Sequence, residues 1–236
     1  MKILIIATSH GQLGETGRKT GVWLEELAIP YYLFKDAGAI ITFASPLGGL
    51  IPLDPKSESI IVSNSTIRRF QKDLEAVSDL SHTIPLHTLN AADFDMVFLP
   101  GGHGPMWDFP ENDPLRQLLE DFNRQNKIIG LVCHGAAALI SLRNSQGEPF
   151  VKDRHLTAYS DSEEQVAGLT GVIPFSLESK LVAFGALYSK GPDYTTHVVT
   201  DGHIISGQNS ASSSEVAKRM LALLKESQKK AQPVLY

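Results

Sequence analysis

Short runs of aliphatic residues alternate along the chain with longer stretches that have helical periodicity. The aliphatic runs predict five core strands, at residues 2–7, 39–44, 96–99, 128–132 and 156–159. The periodic stretches predict seven helices, at residues 20–37, 66–77, 113–125, 136–142, 163–168, 177–184 and 213–229. Continuous aliphatic runs are typical of strands covered on both faces, so the alternation predicts an α/β fold. We therefore expect a flavodoxin-like, doubly wound and mostly parallel sheet with helices on both faces.

Two segments outside this alternation add detail. Apolar runs at 197–200 and 203–206 flank Asp201-Gly202, a dipeptide typical of a two-residue hairpin turn. Residues 43–59 lack periodicity and predict a loop at the carboxyl end of a strand, the edge at which α/β sheets bind ligands. An ordinary surface loop stays an open alternative there. No repeat or long linker interrupts the chain, which predicts a single domain over residues 1–236.

Composition and charge narrow the functional classes. The 236 residues carry a formal charge of −5, whereas a nucleic-acid-binding protein normally has a basic face. No apolar run approaches the roughly 18 residues of a membrane span, and the apolar start, which stops at Ser9, lacks a signal-peptide cleavage site. The single cysteine cannot form an internal disulfide, as expected in a reducing compartment. These features predict a cytoplasmic protein that binds neither nucleic acid nor membrane.

Sequence signatures of cofactor binding are missing. There is no glycine-rich dinucleotide fingerprint after the first strand and no phosphate-binding Walker loop. The eight histidines include His82 and His87, but no spacing of His, Cys or Asp matches a metal-ligand set. We therefore expect no cofactor and no bound metal.

The single cysteine, Cys133, lies where a predicted strand meets a predicted helix, in the stretch GLVCHGAAAL. A strand that enters a helix through one residue needs a tight turn, and the small residues from Gly135 onward relieve its crowding. This pattern predicts a nucleophile elbow, in which the positive amino end of the helix would lower the thiol pKa. A buried, unreactive cysteine is the alternative. His134 likewise has two alternative roles, as a catalytic base or as a capping side chain.

Two further segments offer groups that a thiol nucleophile needs. Gly101-Gly102 follows a predicted strand, where a turn can direct backbone N–H groups at a developing oxyanion. Glu26 has apolar neighbours three and four positions away on its predicted helix, so burial would raise its pKa, whereas Glu25 would be exposed. Pro30 removes the N–H that would bond the Glu26 carbonyl, which predicts a kink. A solvated helical glutamate is the alternative for Glu26.

Together these segments resemble the ThiJ/PfpI superfamily, the relatives of the Parkinson-associated deglycase. The resemblance is strongest to its branch of heat-shock chaperone-like, glutathione-independent glyoxalases. The matching stretches are KTGVWLEELAIPYYLFKDAG, ASPLGGLIPLDPKS, VFLPGGHGPMWDF, LVCHGAAAL, YSDSEEQVAGL and GQNSASS, from about Lys19 to Ser214. The resemblance implies the class I glutamine amidotransferase-like form of the doubly wound fold, and a homodimer.

Residue roles follow from the resemblance at the matching positions. It implies that Cys133 is the nucleophile and His134 its partner. Glu26 matches the glutamate that contacts the cysteine and moves a proton. The third member of the triad is an acid in the stretch YSDSEEQ, which we place at Glu164, with Glu163 as the close alternative.

The remaining residues of the predicted site lie beside these. Gly102 matches the oxyanion-side glycine, and we expect its neighbour His103 and the elbow residue Gly135 to contact substrate. The class I glutamine amidotransferases of the superfamily use a distant His-x-Glu pair instead. That pair is absent here, because His197 precedes Val-Val and His203 precedes Ile-Ile. Amidotransferase activity of that type is therefore not expected.

The expected activity is a cofactor-free, cysteine-dependent conversion of small carbonyl substrates, 2-oxoaldehydes such as methylglyoxal, to hydroxy acids. Its role would be protection against carbonyl stress, and protein deglycation would use the same site. A stress-protective holding chaperone and a cysteine hydrolase on the same fold are the alternatives. The choice between Glu26 and His134 as the main base also stays open at this point.

Overall fold

Strands and helices alternate along the chain, and the computed structural model describes residues 1–59 and 64–231. The strands are β1 (Lys2–Ile6), β2 (Ile40–Ser45), β3 (Ile84–Pro85), β4 (Met96–Leu99), β5 (Ile128–Val132), β6 (His155–Leu156), β7 (Leu187–Tyr188), β8 (Val198–Asp201) and β9 (Ile204–Gly207). The α-helices are α1 (Leu24–Asp36), α2 (Ser65–Lys72), α3 (Leu74–Ser81), α4 (Pro105–Asp108), α5 (Asp113–Arg124), α6 (Asp161–Ala167), α7 (Leu177–Ala183) and α8 (Ser213–Ala231). Short 3₁₀ helices lie at Leu86–Thr88, Ala91–Asp93, Cys133–Leu139 and Ser210–Ser212.

Seven strands form one sheet in the order β3-β2-β1-β4-β5-β9-β8. Neighbouring strands are parallel except β8, which pairs antiparallel with β9. The strand order reverses between β1 and β4, and open α/β sheets bind ligands at such a switch point, beyond the carboxyl ends of the strands. The doubly wound, mostly parallel fold predicted from the sequence is therefore confirmed.

Both faces of this sheet are covered. On β1, Ile3 and Ile5 belong to a core that includes apolar residues of α1 and α8. Leu4 and Ile6 belong to a second core, on the other face, that includes the apolar side of α5. Successive side chains of a strand point to opposite faces, so a strand covered on both faces is aliphatic at every position. This explains why the aliphatic runs locate the central strands so closely.

The core strand predicted at 156–159 is wrong. β6 covers only its first position and pairs with β7 in a separate two-stranded sheet. Beyond β6, the amide of Thr157 donates to the hydroxyl of Ser206, and the amide of Tyr159 lies 3.5 Å from the carbonyl oxygen of Cys133. The segment therefore runs past the end of the main sheet and brings Tyr159 to the nucleophile.

The helix predicted at 66–77 is divided into α2 and α3. Asp73 separates them, because its carboxylate accepts a hydrogen bond from the amide of Ala76 and caps α3. The helices predicted at the four later stretches, 113–125, 163–168, 177–184 and 213–229, agree with α5 to α8 to within two residues at each end. No helix within the described ranges is long and apolar enough to cross a membrane.

α1 begins four residues later than the sequence predicts. The chain before it is extended, since the amide of Val22 donates to the carbonyl of Pro52 and the amide of Asp54 donates to the carbonyl of Val22. The loop predicted after β2 therefore borders the amino end of α1, at the carboxyl edge of the sheet. From Leu24 the helix runs through Pro30 without interruption.

β8 and β9 form the predicted hairpin, with the turn one residue later. Asp201 pairs with Ile204, so the two turn residues are Gly202 and His203. Gly202 has a φ of +57°, a conformation that glycine adopts at no steric cost. The hairpin completes the sheet at the edge beside β5.

Candidate active site

Cys133 follows β5 directly, at the carboxyl edge of the sheet. Its φ of +58° lies in the left-handed region, which costs a residue with a side chain about 1–3 kcal/mol, so the surrounding structure must hold it there. The chain continues as the 3₁₀ helix Cys133–Leu139, where the sequence predicts an α-helix from residue 136. A strand, one strained residue and a helix are the geometry of a nucleophile elbow. The predicted elbow is present, with a tighter helix than expected.

Gly135 supports the elbow from behind. A Cβ added to Gly135 would lie 2.4 Å from the carbonyl oxygen of Leu99, at the end of β4. Gly135 is not among the residues that line the cavity over Cys133. Its position is used for the close approach of two backbones, and its contact with substrate stays a prediction.

Gly135→Ala is expected to lower the free energy of unfolding by about 1–3 kcal/mol, since overpacking against a backbone forces the chain to shift. Gly171→Ala is the matched control, because a Cβ added there meets nothing within 4 Å. Urea unfolding of both variants measures the difference. Equal free energies of unfolding would contradict the close approach at Gly135.

The turn at Gly101-Gly102 packs closely against Cys133. A Cβ added to Gly101 would lie 2.8 Å from both the Cβ of Cys133 and Oε2 of Glu26, so a larger residue does not fit. Gly102 has a φ of +88°. The backbone N–H groups of Gly102 and His134 both contact the Cys133 sulfur. Two backbone donors beside a nucleophile are the arrangement that stabilises a developing oxyanion.

Glu26 is buried on the face of α1 that meets this turn. Its Oε2 accepts a hydrogen bond of 2.9 Å from the amide of Gly101, and the carboxyl group contacts the thiol of Cys133. Burial raises the pKa of Glu26 to about 8, against the lowering effect of those two hydrogen bonds. The burial predicted from helical spacing is confirmed. At neutral pH the carboxyl group is mostly protonated, yet close enough to ionisation to give and take a proton.

Glu25 is half-buried, which contradicts the prediction that it is exposed. Its Oε1 accepts a hydrogen bond of 2.8 Å from Nδ2 of Asn64, the N-cap residue of α2. The packing of this cap against α1 covers a face that helical spacing alone assigns to solvent. Burial raises the pKa of Glu25, which lines the same cavity as Glu26.

The pKa of the Cys133 thiol lies well above its usual range, opposite to the direction predicted. Burial is the main cause and the Glu26 carboxylate adds to it, whereas the N–H groups of Gly102 and His134 oppose it. The positive amino end of an α-helix would lower the thiol pKa, but this helix is a short 3₁₀ segment, and α1 places the Glu26 carboxyl group beside the sulfur. The thiol therefore keeps its proton at neutral pH and needs a neighbouring base.

His134 is placed to be that base. Its Nδ1 lies 3.3 Å from Sγ of Cys133, and its Nε2 lies 2.7 Å from Oε2 of Glu164. Burial, and then the charge of His103, lower the pKa of His134 to about 4 despite the hydrogen bond to Glu164. The imidazole is therefore neutral. With its proton on Nε2, facing the carboxylate, its Nδ1 is free to accept the thiol proton.

Glu164, rather than Glu163, is the third member of the triad with Cys133 and His134. Burial opposes the ionisation of Glu164, but hydrogen bonds from His103 and His134 outweigh it and lower the pKa of Glu164 to about 2. Glu163 points elsewhere: it forms a capping box with Ser160 at the start of α6. The two adjacent acids thus have separate tasks, which the sequence left undecided.

His103 shares the Glu164 carboxylate with His134. Its Nε2 lies 2.8 Å from Oε1 of Glu164, and the two imidazole rings are 4.3 Å apart. His103 lines the cavity, as predicted for a residue on the substrate side. Its Nε2 is already engaged by the acid, so an oxyanion contact through that atom is not available.

His103, His134 and Glu164 also form a cluster of potential metal ligands, with ligand atoms within 4.8 Å of one another. Sequence spacing missed this cluster because the three residues come from three separate segments. Both imidazole Nε2 atoms already hydrogen-bond to the carboxylate. These two hydrogen bonds are sufficient to explain why the three side chains lie together.

These groups line a cavity of about 260 Å³. The predicted residues that line it are Glu26, Gly102, His103, Cys133 and His134. The lining also includes residues without a predicted role, namely Trp23, Glu25, Tyr159, Tyr194, Asn209 and Ser210. Tyr159, Asn209 and Ser210 lie in stretches that carry the family resemblance. Their place in those stretches is the sequence signal that could have identified them as site residues.

A larger groove of about 480 Å³ lies at the opposite edge of the sheet. It borders Ile128, the first residue of β5, and residues near the end of α8. Ligands of open α/β sheets bind at the carboxyl ends of the strands, and this groove has no cysteine. The chemistry therefore belongs to the smaller cavity.

Comparison with known proteins identifies similar proteins over most of the chain. A family model described as ThiJ/PfpI family-like matches residues 18–207. The chain is 29% identical over 240 residues to Glyoxalase 3 of Candida albicans, which covers 94% of this chain and 98% of that protein. The crystal structure of glyoxalase III from Candida albicans has a TM-score of 0.87 at 26% identity, covering 94% of this chain and 97% of that one.

A third similar protein is Rapid Encystment Protein 24 kDa of Francisella tularensis. Its X-ray structure has a TM-score of 0.90 at 37% identity, and the match covers 94% of this chain and 98% of that chain. The family model spans most of the sequence and the structural matches span the whole fold. The chain therefore belongs to the ThiJ/PfpI-like family, as the sequence stretches predicted.

Proposed function

We propose that this protein converts small 2-oxoaldehydes such as methylglyoxal to 2-hydroxy acids without glutathione or another cofactor. The similarity to proteins named glyoxalase supports this activity. The observation that carries it is the buried thiol of Cys133 between two proton-transfer groups. Nδ1 of His134 lies 3.3 Å from the sulfur, and the carboxyl group of Glu26 also contacts the thiol.

In the first step the sulfur of Cys133 attacks the aldehyde carbon and a hemithioacetal forms. His134 takes the thiol proton as the S–C bond forms and passes it to the aldehyde oxygen, which becomes a hydroxyl group. Glu164 keeps the other imidazole nitrogen protonated, so that the unprotonated nitrogen faces the sulfur. The backbone N–H groups of Gly102 and His134 stabilise the oxygen while it is charged.

In the second step the ionised form of Glu26 removes the hydrogen from the former aldehyde carbon and returns a proton to the neighbouring ketone carbon. The intermediate is an enediol, and the hydroxyl proton on the former aldehyde carbon passes to the former ketone oxygen, so that a thioester of the 2-hydroxy acid is the product. A pKa of about 8 suits this task, because Glu26 must first accept a proton from one carbon and then donate a proton to the neighbouring carbon. Water then hydrolyses the thioester, which releases the hydroxy acid and regenerates the thiol. The sum is one 2-oxoaldehyde and one water to one 2-hydroxy acid.

The test is lactate formation from methylglyoxal by the purified protein in buffer free of glutathione, followed by proton NMR. We expect lactate in stoichiometric yield at a rate proportional to protein concentration. No lactate above the rate in buffer alone would contradict the proposal. Rapid hydrolysis of ester or amide substrates instead would favour the cysteine hydrolase, and protection of an aggregating protein without lactate formation would favour the holding chaperone.

The two adjacent acids give a matched pair of variants. Glu164→Gln is expected to lower kcat for methylglyoxal on the order of 10²-fold or more, since an amide does not fix the required imidazole tautomer of His134. Glu163→Gln replaces one carboxylate oxygen with an NH2 group, which would face the donors either of Ser160 or of Tyr194 and Asn209, and it is expected to lower Tm with a much smaller effect on kcat. Steady-state kinetics and thermal unfolding of both variants measure this. The reverse order of effects on kcat would contradict the assignment of Glu164.

A further inference from the structure

A second cavity adjoins the catalytic one. It has a volume of about 170 Å³. Four residues, Trp23, His103, Tyr159 and Tyr194, line both cavities. We call this second cavity the side chamber. Methylglyoxal has only five heavy atoms and does not need it, so the chamber matters for substrates with a longer chain.

Three cationic residues are among those that line the side chamber. Arg18, Lys19 and Lys56 border it, and none of them forms an ion pair with any residue in the ranges 1–59 and 64–231. One acid, Asp54, also lines the chamber. Counting these four side chains, the formal charge of the lining is 3 − 1 = +2, in a chain whose net charge is −5. The chamber therefore carries charge of the opposite sign to the whole protein.

The carboxylate of Asp54 is used to hold the cationic segments together. Its Oδ2 accepts a hydrogen bond of 2.8 Å from the hydroxyl of Thr20, next to Lys19, and its Oδ1 accepts one of 2.9 Å from the amide of Lys56. Asp54 and Thr20 are both buried. The two loops that carry the cations are thus fixed to each other by a buried contact, which keeps the positive charge in place without an ion pair.

We propose that the side chamber binds an anionic tail of the substrate, so that the protein prefers 2-oxoaldehydes that carry a carboxylate or phosphate group. This inference rests on the proposed function. The reacting atoms and the balance of the reaction stay the same, since the tail takes no part in the chemistry. Unpaired cations around a concave site attract an anion and raise the rate of its encounter with the protein. A neutral tail gains nothing from them.

The test compares two substrates that differ only in charge, 4,5-dioxopentanoate and its methyl ester. Both carry the 2-oxoaldehyde group, and conversion of the anion yields 2-hydroxyglutarate. Since an exposed ion pair contributes modestly and three cations act together, we expect kcat/KM to favour the anion by about tenfold at low ionic strength. Added salt should reduce this preference, because the cations are exposed to solvent.

A combined variant tests the assignment to the chamber. Replacing Arg18, Lys19 and Lys56 with Gln is expected to bring the ratio of kcat/KM for anion over ester close to one. The matched control replaces Lys218, Lys225 and Lys229 on α8 with Gln, which removes the same formal charge from exposed positions away from both cavities. The control should keep the preference for the anion. An equal loss in both variants would overturn the inference, since it would show an effect of net charge alone.

The outcomes separate this inference from the function on which it rests. If the protein converts methylglyoxal but treats anion and ester alike, only the side chamber inference is overturned. If it converts no 2-oxoaldehyde, the proposed function fails, and binding is then read from protection of Cys133 against iodoacetamide. Protection by 4-oxopentanoate but not by its methyl ester, lost in the combined variant, would still support an anion site. Equal protection by acid and ester would overturn it.

Discussion

Cys133→Ala is expected to abolish the conversion of methylglyoxal to lactate, with kcat lowered by about 10⁴-fold or more. The methyl side chain of alanine cannot form the hemithioacetal, and the chain has no other cysteine to replace Cys133. The fold should survive, because the change removes one buried sulfur atom beside the cavity. Lactate production measured by NMR, with the unfolding transition of the variant as the control for folding, checks this expectation. A variant that keeps most of the wild-type rate would contradict covalent catalysis at Cys133.

Glu26→Gln is expected to have the second largest effect, lowering kcat by about 10²–10⁴-fold, as typical for the loss of a general acid–base group. It should also change the pH dependence. Burial raises the pKa of Glu26 to about 8, so at pH 7 most molecules hold the protonated form, which cannot remove the hydrogen from carbon. The wild-type kcat/KM should therefore rise with pH through this region, by about tenfold per pH unit at the acid side. The residual activity of Glu26→Gln should lack this inflection.

Glu25→Gln is the informative comparison for Glu26→Gln. Glu25 is the neighbouring residue on α1 and lines the same cavity, but it hydrogen-bonds to Asn64 rather than to Gly101. We expect Glu25→Gln to keep the inflection near pH 8. Pairwise pH profiles from pH 6 to 9.5 measure this difference. An inflection that persists in Glu26→Gln and disappears in Glu25→Gln would contradict the role of Glu26, because it would assign the proton transfer to Glu25.

The central strands and the nucleophile could be predicted from the sequence because their causes are local. β4 and β5 have no polar side chain, since both faces of the sheet are covered, and their bounds match the prediction residue for residue. The elbow at Cys133 was visible as small residues directly after a strand. The same reasoning failed for residues 156–159, where the apolar residues are buried beyond the end of the sheet and their amides bond to Ser206 and Cys133.

The electrostatics of the site could not be predicted, because they depend on residues far apart in the chain. The pKa of Cys133 is raised by burial and by Glu26, more than a hundred residues away, and no local pattern shows that proximity. Glu164 and Glu163 are adjacent and chemically identical, so only the path of α6 decides which one reaches His134. Tyr194 joins the cavity from a loop without any apolar period or motif.

In the proposed mechanism Cys133 captures the aldehyde and Glu26 then moves the proton. It is tested most directly by carbon NMR of the Glu26→Gln variant mixed with methylglyoxal labelled with ¹³C at the aldehyde carbon. We expect a protein-bound resonance of a tetrahedral hemithioacetal carbon that persists, with little labelled lactate, and that is absent when Cys133→Ala is added to the same variant. Rapid formation of labelled lactate by Glu26→Gln, or the same protein-bound resonance without Cys133, would contradict it.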